Sequence, residues 1–460
     1  MHSRLARSLP IPALRTLCAA GLLLAGGASS AALLPGLSDD DLIFSLQDAY
    51  ARSVKPGEQA AQHRELLATV LQRIKRHYAT PADLTVLADA ALKPIEALQP
   101  GAGDPAEVFK TSVNAALATL DNYSRYLDPR AQADARSDAG GSFGGLGLEV
   151  QPGDGAVRVV APMPGSPAAR AGVAAGDLIV RVDDYSLKDV SLADAIARMR
   201  GAPGTPVSLT LQRAGAAGEF TVSLTRDIIR RQVLASSMEG DVLVLRLSGF
   251  TGAISASLAT AIAEASKERQ PRALVLDLRG NPGGLLHESV KVADLFLGKG
   301  EIVALHGAQG VRQRVWQADA DELLAGVPMV VLVNAGSASA SELVADALQF
   351  NGRATVMGSK SFGKGSVQTT FSLGENKGGL KLTTSLYYGP SGKTVQRVGV
   401  MPDIELLPPP KDEVAIAAAA KLRVDPGRCT PLKASDPVLS CAIDFLQSGD
   451  AQAFVAGLKN

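Results

Sequence analysis

Aromatic residues are scarce in this sequence, with a single tryptophan, and neither sign of charge is in excess: 46 Lys and Arg stand against 46 Asp and Glu. So even a balance gives no general electrostatic reason to bind nucleic acid or an anionic membrane, and specificity must lie in local sites. Cysteine is rarer still, at three residues, and two of those could not complete a zinc site. Five histidines, His2, His63, His77, His287 and His306, are scattered without a Ser/His/Asp constellation. Neither a metal nor a cofactor is therefore expected.

What is present is a chain of 460 residues, 46% hydrophobic, long enough for several cores. Its first residues place Arg4, Arg7 and Arg15 ahead of an apolar run from Leu17 to Leu24, followed by Gly26-Gly27-Ala28-Ser29-Ser30-Ala31. That order reads as an export signal over 1–31, with an apolar run too short for a good membrane span, and it predicts a periplasmic protein. Cys18 would leave with the signal. In an oxidising compartment Cys429 and Cys441 then read as a disulfide near the C-terminus.

From Leu37 to about Arg136 the apolar spacing, as in Leu66, Leu67, Val70, Leu71 and Ile74, predicts an all-helical arm, with Asp83, Asp104 and Asp121 as caps or turn residues. A Gly-rich break at 140–145 introduces short β-like runs that end near Arg226. Beyond Asp241, apolar strands alternate with helices, as an α/β domain requires. Pro408-Pro409-Pro410 closes that domain, and an Ala-rich helical tail with the cysteine pair follows. The expected organisation is a signal at 1–31, a helical arm at 32–142, a β-domain at 143–228, an α/β core at 229–408 and a tail at 409–460.

Within the β-domain, Gly144-Gly145-Leu146-Gly147-Leu148, Pro164-Gly165-Ser166-Pro167-Ala168 and Ala174-Ala175-Gly176-Asp177-Leu178-Ile179 together resemble a PDZ domain. Bare glycines let backbone N–H groups converge on an anion, and the anion that ends every polypeptide is its C-terminal carboxylate. Leu146 and Leu148 would present an edge strand to an extended peptide. On the helix 191–200, Ile196 or Met199 would wall the pocket for the last side chain, while Leu192 reads as core.

Two turns of the α/β domain each follow an apolar strand: Arg279-Gly280-Asn281-Pro282-Gly283-Gly284 after 273–278, and Asn334-Ala335-Gly336-Ser337-Ala338-Ser339-Ala340-Ser341-Glu342 after 328–333. A strand, sharp turn and helix expose a hydroxyl beside the N–H groups of a helix start, as acyl transfer requires. The residues alone do not separate Ser337, Ser339 and Ser341. With no suitable histidine, the base would be a desolvated lysine, whose displacement from about 10.4 to near 7 costs about 4 to 5 kcal/mol. Lys364, within Phe362-Gly363-Lys364-Gly365, is the natural candidate.

Asp277-Leu278-Arg279 with Asn281-Pro282-Gly283-Gly284, Ser337 to Glu342, and Phe362 to Gly365 with Gln368 resemble the carboxyl-terminal processing (tail-specific) serine peptidases, from about Tyr78 to Leu406. The resemblance implies a crotonase-like ββα superhelix with the PDZ domain inserted. It implies Ser339 as nucleophile, Lys364 as general base and Gln368 as the group orienting the lysine. Ala340 and one of Gly283 and Gly284 would supply the oxyanion hole. Phe350 stands where many bacterial relatives carry Asp, which favours Ser339/Lys364/Gln368 over a Ser/Asp/Lys relay. The expected function is cleavage of exported proteins at or near free C-termini, the PDZ domain docking tails or regulating activity, in a homo-oligomer with an adaptor protein as a further partner. A non-catalytic tail-binding scaffold is the rival reading, and an acyl-CoA enzyme of crotonase type would leave the PDZ unit unexplained.

Overall fold

The computed structural model describes residues 38–407 except Asp154, Ala217 and Ala320, and then residues 422–431 and 436–458. The export signal, the Pro408 to Pro410 run and the Ala-rich stretch behind it lie outside the described residues. Helices α1 (Asp39–Ser53), α2 (Glu58–His77), α3 (Leu84–Glu96) and α4 (Pro105–Ala118) open the chain. Ser38, Asp83 and Asp104 cap α1, α3 and α4, each accepting backbone N–H groups of the first turn. The apolar stripe of α2 is buried with Leu87, Phe109 and Leu117 in one core that also takes Leu373, Leu380 and Leu382 from the far end of the chain.

The arm is not all helical. Asp121 accepts from the N–H groups of Tyr123 and Ser124, turning the chain into β1 (Arg125–Leu127), and α5 (Pro129–Ala139) follows. Three residues of helical surroundings become a strand because an open sheet edge is there to receive them, a long-range cause with no local signature.

Next come β2 (Ser142–Gly145), β3 (Leu148–Gly153), β4 (Ala156–Pro162), α6 (Pro167–Arg170), β5 (Leu178–Val182), β6 (Tyr185–Ser186), α7 (Leu192–Met199), β7 (Pro206–Gln212), β8 (Glu219–Thr225) and β9 (Asp227–Arg230). The order β3-β4-β5-β7-β8, with β6 on β5, leaves β3 at an edge. β2 and β9 pair antiparallel, so the entering and leaving segments form one ribbon. Gly144 sits in that ribbon opposite Ile228, and a Cβ there would meet the Gly201 carbonyl oxygen at 2.0 Å. Its bareness serves close backbone packing.

The rest runs β10 (Leu234–Glu239), β11 (Val242–Leu247), α8 (Ile254–Glu268), β12 (Ala273–Asp277), α9 (Leu286–Asp294), β13 (Glu301–His306), β14 (Arg312–Gln317), β15 (Met329–Val333), α10 (Ala340–Phe350), β16 (Thr355–Gly358), β17 (Ser366–Ser372), β18 (Gly379–Tyr388), β19 (Ile404–Leu406), β20 (Leu422–Val424), α11 (Pro437–Ser448) and α12 (Ala451–Gly457). A seven-stranded sheet has the order β10-β11-β12-β15-β16-β19-β20 and is parallel throughout except for β10. Every residue of β12 and β15 is buried, as continuous apolar strands covered on both faces must be. Helices α8, α9 and α10 pack on one face, and α11 and α12 on the other.

The tail is therefore not only helical. β20 pairs with β19 and extends the sheet, and Cys429 and Cys441 are joined by a disulfide inside the core beneath α11. A second sheet has the order β1-β18-β13-β14 with β17 on the other edge of β18; Gln368 lies on β17, which begins two residues after Lys364.

Candidate active site

The turns after β12 and β15 are stitched to each other through Asn281, which is fully buried. Its side-chain nitrogen donates to Leu247 O, its side-chain oxygen accepts from Gly283 N, and its carbonyl accepts from Ala338 N and Ser341 Oγ. Ser337 Oγ donates to Leu278 O at 2.8 Å and accepts from Asn334 N at 2.9 Å. Both Ser337 and Ser341 are fully buried. Two of the three serines that the sequence left open thus spend their hydroxyls on holding the turns together.

Ser339 is different. It precedes α10 with φ 57° and ψ −114°, a left-handed conformation costing about 1–3 kcal/mol for a residue with a Cβ. The strain sits on a strand-to-helix elbow, where it lifts a side chain away from its neighbours. Tyr387 Oη donates to Ser339 O at 2.9 Å, and Glu342 Oε2 accepts from Ser339 N at 2.7 Å.

Glu342 fixes more than the serine. It is fully buried, and its two oxygens also accept from Ser361 Oγ, Gly363 N and Lys364 N at 2.6 to 2.8 Å. One carboxylate thus joins the Ser339 elbow to the Lys364 loop through charge-assisted hydrogen bonds. The spacing Ser339-x-x-Glu342 is that of a capping box, the one signal in the sequence that marks it.

Lys364 Nζ lies 4.5 Å from the centre of the Tyr123 ring. Burial first, and then the Arg125 guanidinium, push its ammonium below the ordinary lysine range, against Asp121 and Glu342. Gln368 Nε2 donates to Ser366 Oγ and to Thr383 Oγ1, which hold the amide in place. Ser339, Ala340, Gly284, Lys364 and Gln368 share the wall of one cleft of about 290 Å³, completed by Leu286, Leu343, Val367 and Lys381. No histidine lines it. Ser339 Oγ and Lys364 Nζ face the same space without a direct hydrogen bond between them.

Of the two glycines, Gly284 reaches the cleft wall and Gly283 does not. A Cβ on Gly283 would lie 2.9 Å from both Ala340 N and Ser339 Cβ, and one on Gly284 would lie 2.2 Å from Phe250 O. Only glycine lets the two turns approach so closely. Ala340, first in its helix, has no intrahelical acceptor for its N–H. Phe350 is exposed at the far end of α10, remote in the helix from Ser339.

Sequence reasoning missed the contribution of the arm. Asp121, Tyr123 and Arg125 belong to its closing turn and strand, yet Tyr123 contacts Lys364 and Arg125 stands opposite Lys381. Nothing in the local spacing announces that a segment more than 200 residues earlier packs against Lys364.

A second cleft, about 240 Å³, lies between the edge strand β3 and α7. Gly145, Leu146, Gly147, Leu148, Ile196 and Met199 line it. Leu146 precedes β3 and is buried, Leu192 faces elsewhere, and Arg200 and Arg231 add cations at its rim, each paired with Asp138.

Family models and curated relatives match this chain in sequence. The model of peptidase family S41 matches residues 241–406, and a PDZ domain model matches residues 158–213. The carboxy-terminal-processing protease of Bartonella bacilliformis is 43% identical over 304 residues, covering 65% of this chain and 70% of its own. The carboxyl-terminal-processing protease of a Picosynechococcus species is 36% identical over 304 residues, covering 65% and 72%. A solved structure, the photosystem II D1 C-terminal processing protease, is 30% identical, covers 76% of this chain and 94% of its own, and superposes with a TM-score of 0.49. The class is that of serine-type peptidases with a PDZ domain. Within that class the chain belongs to peptidase family S41, the carboxy-terminal processing proteases.

Proposed function

We propose that the chain is a Ser/Lys-dyad endopeptidase that cleaves exported proteins at or near their C-termini. The observation that carries this reading is the single cleft in which Ser339, Lys364 and Gln368 meet beside Ala340 and Gly284 with no histidine present. Neutral Lys364 takes the proton of Ser339 Oγ as the oxygen attacks the scissile carbonyl. The N–H groups of Ala340 and Gly284 hold the resulting oxyanion, worth about 3 to 4 kcal/mol per donor in comparable acyl transfer. Gly284 is preferred to Gly283, whose N–H is already given to Asn281. Collapse breaks the C–N bond, and the lysine ammonium returns its proton to the leaving amine. Water, deprotonated by the same lysine, then hydrolyses the acyl-enzyme.

Gln368 Nε2 is held by two hydroxyls, which leaves Oε1 as the acceptor that orients the amine. The cleft beside β3 takes substrate tails by strand addition, with Arg200 and Arg231 near the carboxylate. The succession of parallel strands and crossing helices supports a crotonase-type superhelix, and the N-terminal composition supports a periplasmic location. The test is incubation of the purified protein and its Ser339→Ala variant with envelope extract, reading new C-termini by mass spectrometry. New termini that appear with the wild type and not with the variant are expected; identical termini from both would refute the assignment.

A further inference from the structure

One cation in the wall of the active-site cleft, Lys381, has a second, the exposed Arg125, as its neighbour across the strand pair. Arg125 on β1 and Lys381 on β18 are direct partners in the antiparallel register, where like charges placed opposite each other are destabilising. Lys381 lines the cleft with Ser339 and Lys364. Thr370 continues the same row on β17, and Gln368 with Thr383 forms the next, so these groups share one sheet face, from which Lys381 and Gln368 reach the cleft. The opposite face, through Leu380 and Leu382, is sealed against the helical arm.

Lys381 has no carboxylate partner among the described residues, and the charged neighbours that act on it, Arg125 and Lys364, are both positive. Burial and those two cations push its ammonium below the ordinary lysine range. Asp121 and Glu342 lie nearer Lys364 and favour its charged form. Asp121 already takes the N–H groups of Tyr123 and Ser124 and the Ser124 hydroxyl, and Glu342 has both oxygens occupied by donors of the Ser339 elbow and the Lys364 loop. Lys364 itself is required neutral by the proposed mechanism. A partly buried lysine in the cleft wall, with the exposed guanidinium of Arg125 opposite it, is thus left to be neutralised by what enters the cleft.

We propose that Arg125 and Lys381 form a specificity subsite that binds a carboxylate on the leaving fragment of the substrate, on the C-terminal side of the scissile bond. The inference rests on the Ser339/Lys364 reading of the cleft. Every fragment released from a C-terminus carries such a group as its terminal carboxylate. An Asp or Glu side chain in the fragment offers the same chemistry. This subsite is separate from the PDZ cleft: it selects peptides by how far the bond lies from the end of the chain.

The experiment uses the whole protein and a ladder of peptides with a constant acyl side and leaving fragments of one to four residues, each as free acid and as amide. A non-cleavable peptide of D-residues flanking a natural L-tail saturates the PDZ cleft throughout, which removes its contribution to acid preference. At the best fragment length kcat/KM is expected to favour acid over amide about tenfold, as one partly desolvated charge pair supplies. In Lys381→Met the ratio falls to about one, Lys381→Glu reverses it, and Lys381→Arg restores it. An amidated fragment with Glu that regains the preference assigns the site to side-chain carboxylates as well; one that does not confines it to the chain end. A wild-type ratio of one at every length, or a ratio kept in Lys381→Met, overturns the subsite. Labelling of Ser339 by a fluorophosphonate, run in parallel, separates the two levels: labelling with a flat ratio sinks the subsite alone, and neither labelling nor cleavage sinks the dyad with it.

Discussion

At the scale of single residues, the hydrogen bonds of two buried serines, Ser337 and Ser341, give two different expectations. Ser337→Ala leaves Asn334 N without its partner and Leu278 O with the Asn281 N–H alone, at about 1–3 kcal/mol of stability. Ser341→Ala frees one acceptor on Asn281 and costs about 1 kcal/mol or somewhat more. Thermal melting should show both losses while turnover stays measurable, and a dead Ser341→Ala enzyme with an unchanged melting curve would contradict the assignment. In the proposed mechanism Lys364 sets the pH dependence. Its ammonium is held below the usual range, chiefly by burial, and only the neutral amine can accept the serine proton. The rate should therefore rise with pH through the depressed value and stay high above it. Lys364→Arg should be inactive at every pH, because a guanidinium keeps its proton in proteins. A flat profile between about pH 5 and 9 would argue against a lysine base. Lys364 stood out in the sequence because none of the five histidines belonged to a Ser/His/Asp constellation and glycines flanked the lysine. Ser339 was separable from its neighbours only by resemblance, since the discriminating facts are hydrogen bonds to residues some 60 positions away.

At the scale of elements, the elbow and the Lys364 loop are held as one body by Glu342, and that coupling has its own signature. In Glu342→Gln one acceptor becomes an NH2 group facing two donors, so the buried site loses both charge and bonds. Breaking such a cluster costs about 3–5 kcal/mol. Turnover should fall by about 10² or more, as misplaced reacting groups cost. A merely structural role would stop there. Glu342 also favours the charged form of Lys364, so its removal should lower the lysine pKa and move the rising limb of the pH–rate profile toward acid. An unmoved or alkaline-shifted limb would show that the carboxylate does not act on the base. Most strands and helices were legible from their own periodicity, as β12 and β15 show by their unbroken burial. β1 and β20 were not, because three residues pair only where a distant edge offers hydrogen bonds.

At the scale of the molecule, both ends of the described chain are tied to the central core. The arm reaches Lys364 and Lys381 through Tyr123 and Arg125, and the tail is bound through Arg279. That guanidinium donates to Asp277 on one side and to both oxygens of Asp436 on the other, at 2.6 to 2.9 Å. Asp436 in turn caps α11 by accepting from Leu439 N. The turn that begins at Arg279 continues into Asn281 and Gly284, so the same residue that secures the tail also anchors the start of the active-site turn. Hydrogen bonds from Arg279 hold the Asp436 carboxyl below the usual carboxylate range, more than its burial raises it. Its folded-state pKa being the lower one, the clamp contributes stability that is fully present above the unfolded value near 4. That stability is lost as pH falls through the folded value. Asp436→Asn keeps the shape but removes the charge and should cost about 2 kcal/mol at neutral pH, combining a charged hydrogen bond with a weakened cap. The loss should shrink in acid, where the wild-type carboxyl is itself protonated. Chemical denaturation of both proteins at pH 7 and pH 3 measures this directly, and a destabilisation as large at pH 3 as at pH 7 would mean that the tail is held by packing and the disulfide rather than by the charge of Asp436.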